Sequence, residues 1–384
     1  MCDLPKIILA IESYRAYDRE LLKGISQYAK QNGHWLFFHE TDDVNKSLSD
    51  IEKIKPDGVV VRVSKNSRAM GKIPDSLPCI VLGTGTVYDG RINIIGNSEK
   101  IGQMAAEYLL SLGFKEFGFC GTNHAVWSCE RAASFTRAIQ NAGFDVNYYS
   151  CPDKAKTVFA RELTAIIEWI ESLPKPIGIM ASNDDRGLQI LEACKAADLD
   201  VPGQVAVLGV DNDVVNCELA IPPLSSITLN TIKAGYEAAR LLDRMMRKGA
   251  GCKCEKIIVE PTHIVTRQST SVLAVSDIVV AKALDFIRNN VNKQTQVSDV
   301  AESVSVSRRE LERRFKKNLN SSIHQEIKLA KVRLITKMLL ETSDTISEIA
   351  ANLGFVDVNH IARYFRDVEG ISPVEYRKKN LCTV

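Results

Sequence analysis

Asp184, Asp211 and Arg131 are the residues whose types and setting suggest chemistry first. Each Asp closely follows an apolar run, Ile177–Ala181 or Val205–Val210, that reads as a buried strand. In open α/β sheets ligands gather beyond the carboxyl ends of strands. Arg131 lies on the helical stretch from Ser128 to Asn141 that faces the same side. Carboxylates and a guanidinium bond neighbouring hydroxyls in bidentate fashion. The rings of Tyr17 and Trp127 can cover a ligand's C–H face. This set suits a small polyhydroxylated molecule. The plainer alternative leaves Asp184 and Asp211 as helix caps and Trp127 as core packing. Asp184, Asp185, Asp211, Asp213 and His124 could also be imagined as acid–base groups or metal ligands. No nucleophile motif, Walker loop, Gly-x-Gly-x-x-Gly or His-Glu-x-x-His accompanies them. Neither catalysis, a metal nor a cofactor is expected.

A second set lies near the C-terminus. Arg308, Arg309, Glu312, Arg313, Arg314, Lys316 and Lys317 occupy the outward positions of a helix whose inward positions are Leu311 and Phe315. A cationic helix of this kind suits a DNA major groove lined with phosphates. It closes the first of two copies of one pattern. Val297 to Ala301, a turn, Ser307, Leu311 and Phe315 are followed by Ile346 to Ala350, a turn one residue longer, Asp357, Ile361 and Phe365. Each copy predicts a short helix, a tight turn, a Ser or Asp N-cap and a second helix. The small Ala lets the second helix cross the first, and Gly354 permits the sharp turn.

These residues must be positioned by the rest of the chain. Lys6–Ile11, Trp35–Phe38, Gly58–Val61 and Cys79–Leu82 read as strands, with a helix from Tyr17 to Gln31 capped by Asp18. The alternation restarts after Asn97, with strands at Phe117–Cys120, Ile177–Ala181 and Val205–Val210. Continuous apolar strands between helices imply parallel sheets covered on both faces, hence two Rossmann-like α/β lobes facing across a cleft. An all-α segment with the two helix-turn-helices follows.

The chain of 384 residues has room for two or three domains, and its hydrophobic fraction of 45% is that of an ordinary globular protein. From Val279 onward there are 18 Lys+Arg against 13 Asp+Glu; the preceding residues hold 31 against 34. That asymmetry suits a nucleic-acid-binding tail on a near-neutral sensor. The ten cysteines are scattered, and Cys252-x-Cys254 is too tight for a zinc knuckle. Reduced thiols in a cytoplasmic protein account for them. The short apolar run Ile7–Ile11 is neither a signal peptide nor a membrane span, and no membrane partner is expected.

Gly354-Phe355, Phe365-Arg366, the closing Ser372-Pro-Val-Glu-Tyr-Arg377 and the linking segment Ala330 to Thr342 resemble the AraC-family DNA-binding domain. That resemblance places Arg309, Glu312 and Arg313 of the first copy toward base edges, with Val358, Asn359, Ala362 and Arg363 of the second. It leaves Arg308, Lys316 and Lys317 to phosphates. Asp357 and His360 depart from the usual residues of that pattern. Residues 5–267 resemble the sugar-sensing core of the LacI family, itself similar to periplasmic binding proteins. Gly96-Asn97, Gly113-Phe114, Arg131, Ser182-Asn-Asp184, Val205 to Asp211 and Pro223 to Ile227 carry the likeness. The family's own N-terminal helix-turn-helix is missing, so the reader has moved to the other end.

Together the resemblances imply a sensor at 1–267, a linker at 268–278 and a DNA-binding domain at 279–384. They imply a transcriptional regulator of sugar catabolism, an activator, controlled by a small sugar such as xylose or another pentose. Its partners would be double-stranded DNA, RNA polymerase and a second copy in a homodimer. A carbohydrate-binding or carbohydrate-modifying protein with no transcriptional role is the alternative.

Overall fold

Val59, Val60 and Val61 are fully buried, as are Ile179, Met180 and Ala181. Strands apolar on both sides bury completely only inside parallel sheets flanked by helices. The computed structural model shows two such sheets; it describes residues 4–39, 48–63, 69–83, 87–122, 125–149, 159–248, 256–271, 277–319 and 321–381.

The first sheet contains β1 (Lys6–Ala10), β2 (Leu36–His39), β3 (Gly58–Val63), β4 (Cys79–Gly83), β5 (Ile92–Gly96) and β11 (Lys256–Val259), in the order β11-β5-β4-β3-β1-β2. All its pairings are parallel. The second contains β6 (Glu116–Cys120), β7 (Val146–Tyr148), β8 (Ile177–Ala181), β9 (Val205–Val210), β10 (Ser225–Leu229) and β12 (Pro261–Val265), in the order β12-β10-β9-β8-β6-β7. Only the β10–β12 pair is antiparallel. The chain crosses between lobes three times, after β5, after β10, and between β11 and β12. The two-lobed α/β architecture agrees with the sequence reading, which did not name β5, β7, β10, β11 or β12 as strands.

Two local readings are corrected. The helix Ala16–Asn32 has Arg15 at its N-cap, and Asp18 caps nothing. Asp18 is fully buried inside the first turn and paired with Arg62 of β3. Of the segment read as a linker, Gln268–Thr270 forms a turn sealed against the second lobe. Ser269 donates to Val207 O at 2.7 Å, and Thr270 donates to Ser225 Oγ at 2.7 Å. Asp277 caps the helix Ile278–Asn289. Cys252, Cys254 and His124 lie outside the described residues.

The C-terminal part is all helical and carries two separate small cores. Leu311 and Phe315 pack with Val280, Leu284, Ile287 and Val300. Ile361 and Phe365 pack with Ile335, Leu339, Ile349 and Tyr376. The long helix Ile323–Glu341 joins the two. In the second copy Asp357 accepts the His360 N–H at 2.7 Å, the expected cap. The turn residue is Gly354 at φ 69°, and the matching residue of the first copy is Ser305 at φ 54°. No helix among the described residues is long and apolar enough to cross a membrane.

Candidate functional site

Arg131, Asp211, Asp184, Trp127 and Tyr17 all line one cleft between the lobes. Tyr17 sits in the first turn of its helix, facing Arg15 and Arg62 of the same lobe. Trp127 and Arg131 are one helical turn apart on the helix Val126–Asn141, and the guanidinium lies 4.9 Å from the indole centroid. That cation–π contact, with the Arg131 Nη1 bond to Ser182 O, fixes a guanidinium that is only 5% exposed. Its Nη2 stands 3.6 Å from Asp211 Oδ1.

Asp211 and Asp184 have different duties. Asp211 follows β9 at φ 99°, a left-handed conformation that bends its side chain off the strand axis. Burial pushes its carboxyl up to about 6 against the opposing pull of Arg131. Asp184 opens the helix Asp184–Ala196 and turns the other way. Its Oδ1 accepts the Ser226 hydroxyl at 2.5 Å, and its Oδ2 accepts the Asp213 N–H at 2.6 Å. Ser226 Oγ accepts the Asn212 N–H at 3.0 Å in turn. Asp184 therefore braces the turn that aims Asp211. A side chain at Gly209 would put its Cβ 2.1 Å from Asp184 Oδ1, so only glycine admits this brace. Burial, with Asp211 nearby, raises the Asp184 carboxyl well above the usual range.

From the first lobe sequence reasoning named Tyr17 and missed two arginines. Arg15 and Arg62 line the cleft opposite Asp211. The Arg62 guanidinium lies 5.6 Å from the Tyr17 ring centroid and is paired with Asp18. The signal was a lone charge in the run Gly58-Val-Val-Val-Arg-Val63. Arg19 of the first lobe grips Asp213 of the second with two bonds of 3.0 Å. Four cleft groups remain buried with no hydrogen-bond partner: Asp211 Oδ1 and the Nε of Arg15, Arg62 and Arg131. Unmet buried polar atoms are uncommon in folded chains, and four on one wall system describe a socket for a molecule with many hydroxyls.

On the C-terminal domain, Arg308, Arg309, Lys316 and Lys317 are exposed, and none makes a hydrogen bond or ion pair among the described residues. Arg313 is exposed but held by Glu310 at 2.8 Å, and Arg314 is tied to Glu310 and Asp277. Those two guanidinium groups pull the Glu310 carboxyl down to about 2. Glu312 is half-buried, and its Oε2 accepts the Ile323 N–H at 3.4 Å, starting the long helix. In the second copy Val358, Asn359 and Arg363 are exposed, and Ala362 is half-buried beside the core.

Two family models match this chain. Residues 106–270 match a periplasmic binding protein-like domain, and residues 300–379 match a helix-turn-helix domain. The xylose operon regulatory protein of Escherichia coli (strain K12) is 26% identical over 383 residues, spanning 98% of this chain and 97% of that protein. The Haemophilus influenzae protein of the same name is 27% identical, spanning 97% and 98%. A solved structure described as the xylose-binding transcription activator xylR superposes with a TM-score of 0.63, at 26% identity and 99% coverage of both chains. The chain thus resembles the xylose operon regulatory proteins from end to end, joining a periplasmic binding protein-like domain to a C-terminal helix-turn-helix domain.

Proposed function

We propose that this chain is a cytoplasmic, sugar-responsive, sequence-specific DNA-binding regulator of sugar-catabolism genes. The observation that carries the reading is the cleft with four buried polar atoms that lack a hydrogen bond, in a chain that carries two helix-turn-helices. The effector is a neutral monosaccharide, a pentose such as xylose. Arg15, Arg19, Arg62 and Arg131 around the cleft face Asp18, Asp184, Asp185, Asp211 and Asp213, so the site holds no excess of positive charge. A sugar acid or sugar phosphate would bring an uncompensated charge into a desolvated site, which is costly.

Asp211 accepts a sugar hydroxyl, the three guanidinium groups donate to sugar oxygens, and Tyr17 and Trp127 cover the ring. Asp184 positions Asp211. Closure of the lobes on the sugar shifts the population of reader arrangements in a homodimer. Arg309 and Arg313 approach base edges in one major-groove segment, and Val358, Asn359, Ala362 and Arg363 approach them in the next. Arg308, Lys316 and Lys317 meet phosphates. Glu312 serves the fold of the domain more than the groove. Activation through RNA polymerase, and the division into a sensor at 1–267, a DNA-binding domain at 279–384 and a connection that begins after the sealed turn Gln268–Thr270, belong to the same proposal. No catalytic step is assigned.

A thermal-shift screen of pentoses and hexoses, followed by selection of bound duplexes from a randomised library, tests the reading. A sugar at a hundredfold its dissociation constant adds about 2.7 kcal/mol of stability. A neutral sugar that stabilises the protein, together with enrichment of one DNA motif, supports it. Sugar binding with no DNA motif enriched overturns the regulatory role.

A further inference from the structure

The three crossovers between lobes are bonded into one hinge. Asn97 N donates to Val259 O at 2.8 Å, and its Nδ2 donates to Glu260 Oε2 at 2.9 Å. Asn230 and Glu260 exchange a pair of bonds, Asn230 N to Glu260 O at 3.0 Å and Glu260 N to Asn230 Oδ1 at 2.8 Å. The last helix of the chain, Pro373–Asn380, lies across this hinge and holds both sides of it. Toward the second lobe, the buried Tyr376 hydroxyl donates to Thr262 O of β12 at 2.6 Å. Toward the first lobe, Lys233 Nζ donates to Lys378 O at 2.5 Å and Lys379 O at 2.7 Å. These are carbonyls of the helix's last turn, which lack intrahelical partners and carry the negative end of its dipole. Between the two, Asn230 Nδ2 donates to Asn380 Oδ1 at 3.4 Å.

Three further bonds from the domain, among the described residues, reach the second lobe. Glu341 meets His263 at 3.0 Å, Arg333 meets Ser111 at 3.2 Å, and Asn318 O accepts from Lys115 at 3.3 Å. Rotation of one lobe against the other therefore cannot leave both ties of the last helix in place. The same Tyr376 ring packs edge-on against Phe365, 5.3 Å between centroids, and Phe365 is the fully buried anchor of the second recognition helix, Val358–Glu369.

We propose that Pro373–Asn380 is a clasp over the hinge, in which Tyr376 and Lys233 are positioning residues that convert lobe rotation into displacement of the second recognition helix. The contact surface is the carbonyl edge of Thr262 on one side and the Lys233 ammonium on the other. The clasp rests on the effector reading for its trigger, though not for its existence.

The test has two arms, on full-length protein and on Tyr376→Phe and Lys233→Met, each checked for a cooperative thermal transition. In the first arm no sugar is present. Hydrogen exchange of peptides covering Asn97, Asn230 and Glu260 becomes several-fold faster in both variants, because a tie across the hinge has gone. Unchanged exchange in both overturns the clasp. In the second arm DNA affinity is measured with and without xylose. Its sugar dependence falls about fivefold toward unity in Tyr376→Phe, the effect of one net hydrogen bond, while sugar affinity stays within about twofold. A sugar dependence equal to that of the unmodified protein overturns the clasp. If the unmodified protein shows no sugar dependence, the effector reading fails, and the exchange arm alone decides the clasp.

Discussion

Arg131 and Arg309 carry the same guanidinium into opposite surroundings. Arg131 is 5% exposed and held by an indole face, a carbonyl and a carboxylate. Arg309 is exposed on the first recognition helix with no partner among the described residues. In the cleft, desolvation strengthens each interaction and fixes its direction, so recognition rests on geometry. On the recognition helix, water and salt screen the charge, so recognition rests on numbers of phosphates and on the few side chains that reach bases. The two helix-turn-helices divide that second task unevenly. The helix Arg308–Leu319 holds six Lys/Arg and two Glu, and Val358–Glu369 holds two Arg, one Asp and one Glu. Most of the positive charge therefore sits on the first copy, and the second carries little.

Salt gives the largest separation between cleft and reader. For a dimer making six to ten phosphate contacts, DNA affinity should fall by about 10³–10⁵ between roughly 50 and 200 mM salt. Sugar affinity over the same range should change by less than about threefold, since buried pairs are weakly screened. Calorimetry and anisotropy across a salt series measure both, and a salt-steep sugar affinity would place the sugar outside the cleft.

Single substitutions come next. Arg131→Ala and Asp211→Ala should each weaken sugar binding by about 1–3 kcal/mol, by leaving hydroxyls unpaired, with sugar-free DNA binding retained. Arg309→Ala and Arg363→Ala should each cost about 1–3 kcal/mol at one base cluster of a randomised site library. The two clusters should lie about one helical turn apart. If Arg363→Ala weakens all sequences alike, the second copy anchors and does not read.

Acidification sharpens the cleft's side. Asp211 has its carboxyl raised to about 6, above its ordinary 3.8. The folded, sugar-free protein then binds more protons than the unfolded chain between these values. Its stability contribution from Asp211 therefore falls as pH rises through that window. Sugar binding has the opposite sign, because the hydroxyl bonds to the ionised form. Affinity should be full above pH 6 and decline below it by at most about 1.4 kcal/mol per pH unit. A flat profile from pH 7 to 5, measured by calorimetry, would remove Asp211 from the contact set. Lys317→Ala should have the smallest effect, weakening all DNA sequences equally and lowering the salt slope by about one.

The legible parts of this chain were those with local signatures. The Ala301 and Ala350 turns, the Asp357 cap and the buried Phe315 and Phe365 follow from spacing within a single repeat. Asp211, Arg131 and Trp127 were visible because each sits just beyond a strand or on a helix that such folds turn toward the cleft. The missed features depend on partners far along the chain. Asp18 looks like a cap until Arg62, 44 residues later, is brought beside it. Asp184 looks equivalent to Asp211 until Ser226 and the Asp213 N–H take both its oxygens. Gln268–Thr270 has the composition of a linker, and only the Ser225 and Val207 carbonyl and hydroxyl groups show that it is sealed in place. Polar residues buried by other polar residues leave no hydrophobic period to read.

Energetic linkage between sugar in the cleft and DNA on the recognition helices is what the regulatory proposal requires. Its most direct test is a closed cycle on one protein: xylose affinity by calorimetry with and without the selected duplex, and duplex affinity with and without xylose. Linkage requires both pairs of measurements to change by the same factor, with a coupling of about 1–3 kcal/mol. Such a factor is expected, together with its loss in Asp211→Ala. Tight binding of both partners, each indifferent to the other, would contradict it.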